Sequence, residues 1–299
     1  MRICCIINDR SGTAQTSSKT TVNKMFAKHG VEIDFDEIQD GNSISDLAKE
    51  AVKKNYDTIV AGGGDGTLNA VATALVDKPK IKFGILPLGT LNHFAGALNI
   101  PLDLEKAVET IVAGHTIAID VGEVNGYIFL NNSSLGLYPA IVRLREIMQK
   151  SGWSKWPAAT WAAAKMFTRF RRLRLKITSS AVTEMTTDCS MLFIGNNTYE
   201  MNLSNLGKRP TLVGGNIWVM VPNVSTRWNF ITSILASVLA REKHKDIITF
   251  NANKMNVMSK KKILKVAIDG EVVRITPPLS YRIRPKSLRV IVPAETVKK

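Results

Sequence analysis

Four short clusters in the 299-residue chain hold residues able to act on a phosphate or a hydroxyl. The strongest is Ala61-Gly62-Gly63-Gly64-Asp65-Gly66-Thr67, directly after a buried run and before a helical one. Glycines remove the Cβ atoms that would block a ligand and admit positive φ angles. Backbone N–H groups and the start of the next helix can then face phosphate oxygens. A Walker A loop would need Gly-Lys-Ser/Thr, and the dinucleotide fingerprint would need a third glycine where Thr67 stands. Asp65 would repel phosphate unless a cation lay between them, so the loop suits a phosphate site working with Mg²⁺ held at Asp65. The competing meaning is a plain glycine turn.

Three further clusters keep it company. Leu86-Pro87-Leu88-Gly89-Thr90-Leu91-Asn92-His93-Phe94 also follows a strand-like run. Gly89 and Thr90 offer an N–H and a hydroxyl, and Asn92 an amide. Asn8-Asp9-Arg10-Ser11-Gly12 follows the first apolar run and places Asn8, Ser11 and Gly12 in a third turn. Ligands of open α/β sheets bind at the carboxyl ends of the strands, so three such turns converge on one crevice. The fourth cluster, Ala267-Ile268-Asp269-Gly270-Glu271, sets two carboxylates around a glycine. Asp269 and Glu271 are candidates for a general base and its partner, although Asp-Gly is more often a hairpin turn.

The elements that must position these residues fall into two kinds. Through residue 120, strand-like runs (Ile3–Asn8, Val31–Ile38, Thr58–Ala61, Lys82–Leu86) alternate with helix-like ones (Thr16–His29, a helix capped by Ser43 or Ser45 and running to Lys54, Thr67–Val76, Asp103–Ala113). That alternation predicts a mainly parallel sheet covered on both faces. After Ile117, short strand-like runs recur between turn residues, including Cys189–Ile194, Lys262–Ile268, Ser280–Ile283 and Leu288–Val292. Their spacing predicts a sandwich or barrel, interrupted by helical insertions near 139–172 and 226–241. The expected division is 1–121 for a nucleotide-binding α/β domain and 122–299 for a β-sandwich substrate domain.

Charge divides at the same place. The net charge is +15, with residues 1–121 contributing −3 and residues 122–299 contributing +18. A second half so basic faces an anionic partner or is simply a solvated surface. Three cysteines, Cys4, Cys5 and Cys189, exclude a disulfide framework and suit a reducing compartment. No apolar run qualifies as a signal or a membrane span, so membrane contact is expected to be peripheral. The segment Ile147–Thr183 lacks acids and carries basic residues beside Trp153, Trp156 and Trp161. It reads either as an interfacial membrane contact or as a core helix with a solvated end.

The combination Asn8-x-x-Ser11-Gly12, Gly63-Gly64-Asp65-Gly66-Thr67, Pro87-x-Gly89-Thr90-x-Asn92 and Asp269-Gly270-Glu271 resembles the catalytic-domain family of diacylglycerol kinases. These belong to the wider superfamily of sphingosine, ceramide and NAD kinases. The resemblance implies ATP held between an N-terminal α/β domain and a C-terminal β-sandwich. The first three motifs would line the nucleotide, and Asp65 would act through Mg²⁺. Asp269 and Glu271 would face the hydroxyl of a lipid acceptor, one or both serving as base. With the charge, the cysteine usage and the lack of a membrane span, the expectation is a cytoplasmic, peripherally membrane-associated enzyme that meets an anionic membrane surface with its basic C-terminal half and binds no nucleic acid.

Two departures from the family pattern stand out. His93 replaces the Asp that follows the Asn in many members. The stretch Leu212-Val213-Gly214-Gly215-Asn216 lacks the acidic pair that holds a structural Mg²⁺ in related bacterial lipid kinases. Two other readings stay open: an NAD kinase, and a catalytically silent membrane-binding module.

Overall fold

The computed structural model describes residues 2–8, 19–35, 43–136, 172–200, 209–222 and 247–297. The chain divides into two units, Met1–Val121 with Pro285–Lys299, and Gly122–Arg284.

In the first unit, the apolar runs become β1 (Ile3–Ile7), β3 (Thr58–Gly63) and β4 (Lys82–Pro87), buried along almost their whole length. With β2 (Ile33–Phe35) they form a parallel sheet in the order β2-β1-β3-β4. The helices are α1 (Lys19–Lys28), α2 (Ile44–Lys53), α3 (Asp65–Leu75), the short α4 (His93–Ala97) and α5 (Leu104–Ala113). Helix α2 packs on α3, and α1 on α5. Right-handed crossovers require this when the sheet grows one way to β2 and the other way to β4. Adjacent strands β1 and β3 therefore send their chains to opposite faces, which is the switch point where such sheets leave a crevice. Of the two serines weighed as caps for α2, Ser43 is used: its side chain accepts from the Asp46 N–H and the Asp46 carboxylate reaches back, a full capping box. Asp103 caps α5, and Gly114 closes it in the left-handed region at φ 70°.

The division expected at residue 121 needs a correction at the other end of the chain. Residues 285–299 belong with the first unit. The cause is one long strand, β16 (Leu279–Ile291), whose far end lies parallel to β4 with Val290 opposite Phe83. The two runs Ser280–Ile283 and Leu288–Val292 are parts of this single strand.

The second unit is an antiparallel sandwich, as the spacing of the short runs predicts. It contains the end of β5 (Thr116–Val124), then β6 (Tyr127–Phe129), β7 (Asn132–Gly136), β8 (Leu173–Ser179), β9 (Met185–Cys189), β10 (Met191–Asn196), β11 (Ile217–Pro222), β12 (Ile247–Ala252), β13 (Lys254–Ser259), β14 (Leu264–Ile268) and β15 (Glu271–Ile275). One sheet runs β12-β11-β10-β7-β14-β15, and β9, β8, β13 and the first part of β16 make the other. Leu175, Ile177, Val257 and Tyr281 from the second meet Leu135, Leu192, Val219 and Val266 from the first in one core. Tyr281 is fully buried; its hydroxyl lies 3.1 Å from Ser133 Oγ, and burial pushes its pKa up. The run Cys189–Ile194 is broken at Ser190 into β9 and β10. Cys4, Cys5 and Cys189 are buried free thiols, and burial pushes Cys189 up to about 11. The expected helical insertions, apart from Arg172, lie outside the described residues. Among the described residues, no helix is long and apolar enough to cross a membrane.

Candidate active site

Strands β1, β3 and β4 deliver three turns to one edge of the first unit. Asn8 follows β1, Gly64 to Thr67 follow β3, and Gly89 to Asn92 follow β4. Helix α3 starts at Asp65 with Gly64 as its cap residue, and no side chain caps it. The N–H groups of Asp65, Gly66 and Thr67 therefore have no protein acceptor among the described residues, which is the arrangement a phosphate occupies. Thr67 is buried, and its Oγ1 accepts from Asn8 Nδ2 at 3.2 Å, tying the first turn to the second. The Asn8 N–H also donates to the Gly62 carbonyl at 2.9 Å. Ser11 and Gly12 lie outside the described residues.

The second and third turns interlock. A Cβ on Gly89 would stand 2.4 Å from Gly64 Cα and 2.8 Å from Asn92 Oδ1, so backbone meets backbone there and only glycine fits. A Cβ on Gly64 would stand 3.5 Å from Gly89 Cα, ordinary contact. A Cβ on Gly63 would run into Thr67, 2.6 Å from its Oγ1. Asp65 completes the joint. Its Oδ2 accepts from the His93 N–H at 3.2 Å and its Oδ1 from the Phe94 N–H at 3.0 Å, capping α4 from the neighbouring turn. Residue 93 takes part through its backbone, so histidine serves there as another residue would.

Asn92 sits in the left-handed region at φ 49° and closes its own turn. Its Oδ1 accepts from the Gly89 N–H at 3.0 Å, and its Nδ2 donates to the Gly89 and Pro87 carbonyls at 2.8 and 3.3 Å. Both amide hydrogens are thus committed within the turn, and Thr90 and His93 are the exposed polar side chains of this cluster. For a cation, Asp65 fits as a single shared ligand: each carboxylate oxygen accepts one of these N–H groups and keeps a further lone pair. Among the described residues, no group of three His, Cys, Asp or Glu side chains can hold a metal.

The two carboxylates of the fourth cluster have different surroundings. Asp269, at φ 46°, takes Leu130 N–H on Oδ2 at 2.7 Å, with Asn131 and Asn132 N–H on Oδ1 at 2.8 and 2.9 Å. Its own N–H donates to the Asn132 carbonyl at 2.9 Å. Asp269 therefore staples the β14–β15 turn to the 130–132 loop. Glu271 opens β15 and is exposed.

Residues that sequence reasoning passed over complete this loop. Arg209 donates to the Leu130 carbonyl at 2.6 Å and to Asn131 Oδ1 at 2.8 Å, and its guanidinium lies 5.6 Å from the Tyr199 ring centre. Tyr199 Oη donates to the Asn131 carbonyl, and Asn196 Nδ2 to the Leu130 carbonyl. Asn196 and Tyr199 lie at and just past the end of β10 and Arg209 in the connection before β11, far along the chain from residues 130–131, so no spacing in the sequence announced them. In the stretch that lacks the acidic pair, Asn216 Nδ2 donates to the Gly214 carbonyl, and Thr198 Oγ1 donates to Asn216 Oδ1.

The profile of the diacylglycerol kinase catalytic domain matches residues 2–124. A diacylglycerol kinase of Staphylococcus aureus is 42% identical over 90 residues, 30% of this chain and 29% of that one. The chain thus aligns with under a third of the length of this curated relative. A diacylglycerol kinase from Bacillus anthracis has a TM-score of 0.71 at 18% identity, covering 99% of this chain and 98% of that one. An NAD kinase from Archaeoglobus fulgidus, solved in complex with ATP, has a TM-score of 0.56 at 13% identity over 100% and 96% of the two chains. At such identities the structural likeness carries the fold alone. The family profile spans the interlocked glycine turns, and over residues 2–124 the chain is similar to the diacylglycerol kinase catalytic domain.

Proposed function

We propose that the protein is an ATP-dependent lipid kinase that phosphorylates a lipid hydroxyl, with diacylglycerol the default acceptor and phosphatidic acid the product. One observation carries the reading. Three uncapped N–H groups at the start of α3 stand at the switch point of a parallel sheet, in a loop held rigid by its neighbour. Phosphoryl transfer needs positioning and charge neutralisation more than covalent chemistry.

In this reading the phosphates of ATP rest against the N–H groups of Asp65, Gly66 and Thr67, with Gly63, Gly64 and Gly89 shaping the loop. Asn8 and Asn92 hold the turns. Thr90, together with Ser11 and Gly12, borders the nucleotide. Mg²⁺, carried in by the phosphates, would share Asp65 as a ligand and neutralise phosphate charge. Glu271 is the general base: it takes the proton of the acceptor hydroxyl as that oxygen bonds to the γ-phosphorus and the bond to the bridging oxygen breaks, leaving ADP. Asp269 is the positioning residue of its turn, since three backbone N–H groups already donate to its carboxylate.

The test is radiolabelled ATP offered in parallel to diacylglycerol, a mixed lipid extract and NAD. Label in phosphatidic acid is the expected result. Label in another lipid alone would keep the lipid kinase and change its acceptor. Label appearing only in NADP would replace the reading with an NAD kinase, and no transfer to any acceptor would leave a silent module.

A further inference from the structure

The described part of the second unit carries a basic, partly apolar tip that the phosphotransfer reading does not use. The connection from β13 to β14 reads Met258-Ser259-Lys260-Lys261-Lys262-Ile263. Lys260, Lys261 and Lys262 are exposed, and on either side of them Met258 and Ile263 are 47% and 56% exposed. Strand register extends the charge around this loop. Ser259 lies opposite Leu175, so the start of β8, with exposed Arg174, runs on beside the loop. On the other sheet Lys265 stands directly opposite Arg274. Like charges paired across strands oppose folding, so the pairing is not there for the sandwich's sake. Among the described residues, Lys260, Lys261, Lys262, Lys265 and Arg274 make no ion pair. The nearby acids are Asp188, opposite Arg174; Glu184, just before β9, which holds Lys176 at 2.9 Å; and Glu271, at the other end of β15 from Arg274.

We infer that this tip docks the protein on anionic lipid bilayers. Lysines near a negatively charged leaflet are drawn to its surface potential. Met258 and Ile263 are positioned to enter the headgroup–acyl boundary, where an aliphatic side chain leaves water without needing a hydrogen-bond partner. A nucleic-acid backbone would use the lysines but gain nothing from two aliphatic chains, and no aromatic side chain lies in the loop for bases to stack on. The inference extends the lipid-kinase reading on its membrane side and rests on that reading only for its purpose.

Co-sedimentation with vesicles of equal parts phosphatidylglycerol and phosphatidylcholine, against pure phosphatidylcholine, tests it. The wild-type protein binds the anionic vesicles in preference, more weakly as salt rises. Changing Lys260, Lys261 and Lys262 together to Gln lowers the partition coefficient by on the order of 100-fold at low salt. Met258→Ser with Ile263→Ser lowers it by about tenfold, with little salt dependence. Both variants keep the wild-type circular dichroism spectrum and ATP affinity, since the loop is exposed. If the wild type has the kinase activity, both also keep it on a short-chain diacylglycerol dissolved as monomers. Vesicle binding without phosphorylation would sink the kinase reading and leave the docking surface standing. Wild-type binding in the triple-lysine variant, or no wild-type preference for anionic vesicles, would overturn the inference. So would tight binding to duplex DNA with none to vesicles.

Discussion

Gly64 and Gly89 resemble one another in sequence and differ in what they tolerate. Gly89→Ala drives a methyl into the Gly64 backbone and lowers stability by about 1–3 kcal/mol, the usual cost of overpacking. Gly64→Ala meets only ordinary contact and costs less. Thermal unfolding of the two variants side by side gives the comparison, and equal losses would contradict the packing described. The Asp269 and Glu271 carboxylates separate in the same manner. Glu271→Gln folds normally and loses on the order of 10²–10⁴-fold in turnover. Asp269→Asn presents an amide N–H₂ toward a cluster of backbone donors, leaves at least one unpaired and costs about 1–3 kcal/mol of stability as well. A melting temperature unchanged in Asp269→Asn would remove its positioning role. The sequence identified both carboxylates and left the choice of base open, because partners at residues 130–132 are far away along the chain.

Helix α2 shows how far local sequence fixes an element. Ser43 and Asp46 have the spacing of a capping box, and they make one. Ser43→Ala should therefore destabilise the first unit by about 1 kcal/mol, measured by denaturant unfolding. The hydrogen bond from the Ser43 side chain, then the one from its backbone, holds the Asp46 carboxyl below its ordinary value. A depressed carboxylate contributes stability above its unfolded pKa and loses it as pH falls through the folded one. The gap between wild type and Ser43→Ala should thus narrow in acid without closing, because the Asp46 N–H bond to Ser43 Oγ does not titrate, and a gap that widens there would contradict the part assigned to the carboxylate. Strands β1, β3 and β4 and helix α5 were legible for the same reason: buried runs and end signals are local. Helix α4 was not, because five residues give too little periodicity and its cap, Asp65, comes from another turn. Strand β16 was read as two because exposed Pro285 and Lys286 and half-buried Ser287 interrupt its apolar alternation, while its pairing with β13 and β4 comes from elsewhere.

At the scale of the whole molecule, the two units are not two consecutive lengths of chain. Both β5 and β16 contribute residues to each, and β4 receives its parallel neighbour from the far end of the sequence. A fragment ending at residue 121 should accordingly fail to fold stably, with hydrogen exchange fast in β4 and slower in β1. Joining residues 285–299 to it through a flexible linker should restore protection in β4. Equal protection without the added strand would show that the sheet closes by itself. Composition and charge located the change at residue 121, where a parallel pattern gives way to an antiparallel one. They carried no trace of the return at 285, since strand pairing between distant segments leaves no local signature.

The joint between Gly64 and Gly89, locked by Asp65, bears on how ancestry is read from such chains. Two motifs separated by some two dozen residues restrain one another, Gly89 against the Gly64 backbone and Asp65 as the cap of α4, so selection for mere foldability suffices to keep Gly89 and Asp65. A descendant that had abandoned phosphotransfer would still display the pair. In a survey of genomes, the two glycine turns together are evidence of common descent. Evidence of a working enzyme has to come from a position the packing does not demand, such as Glu271.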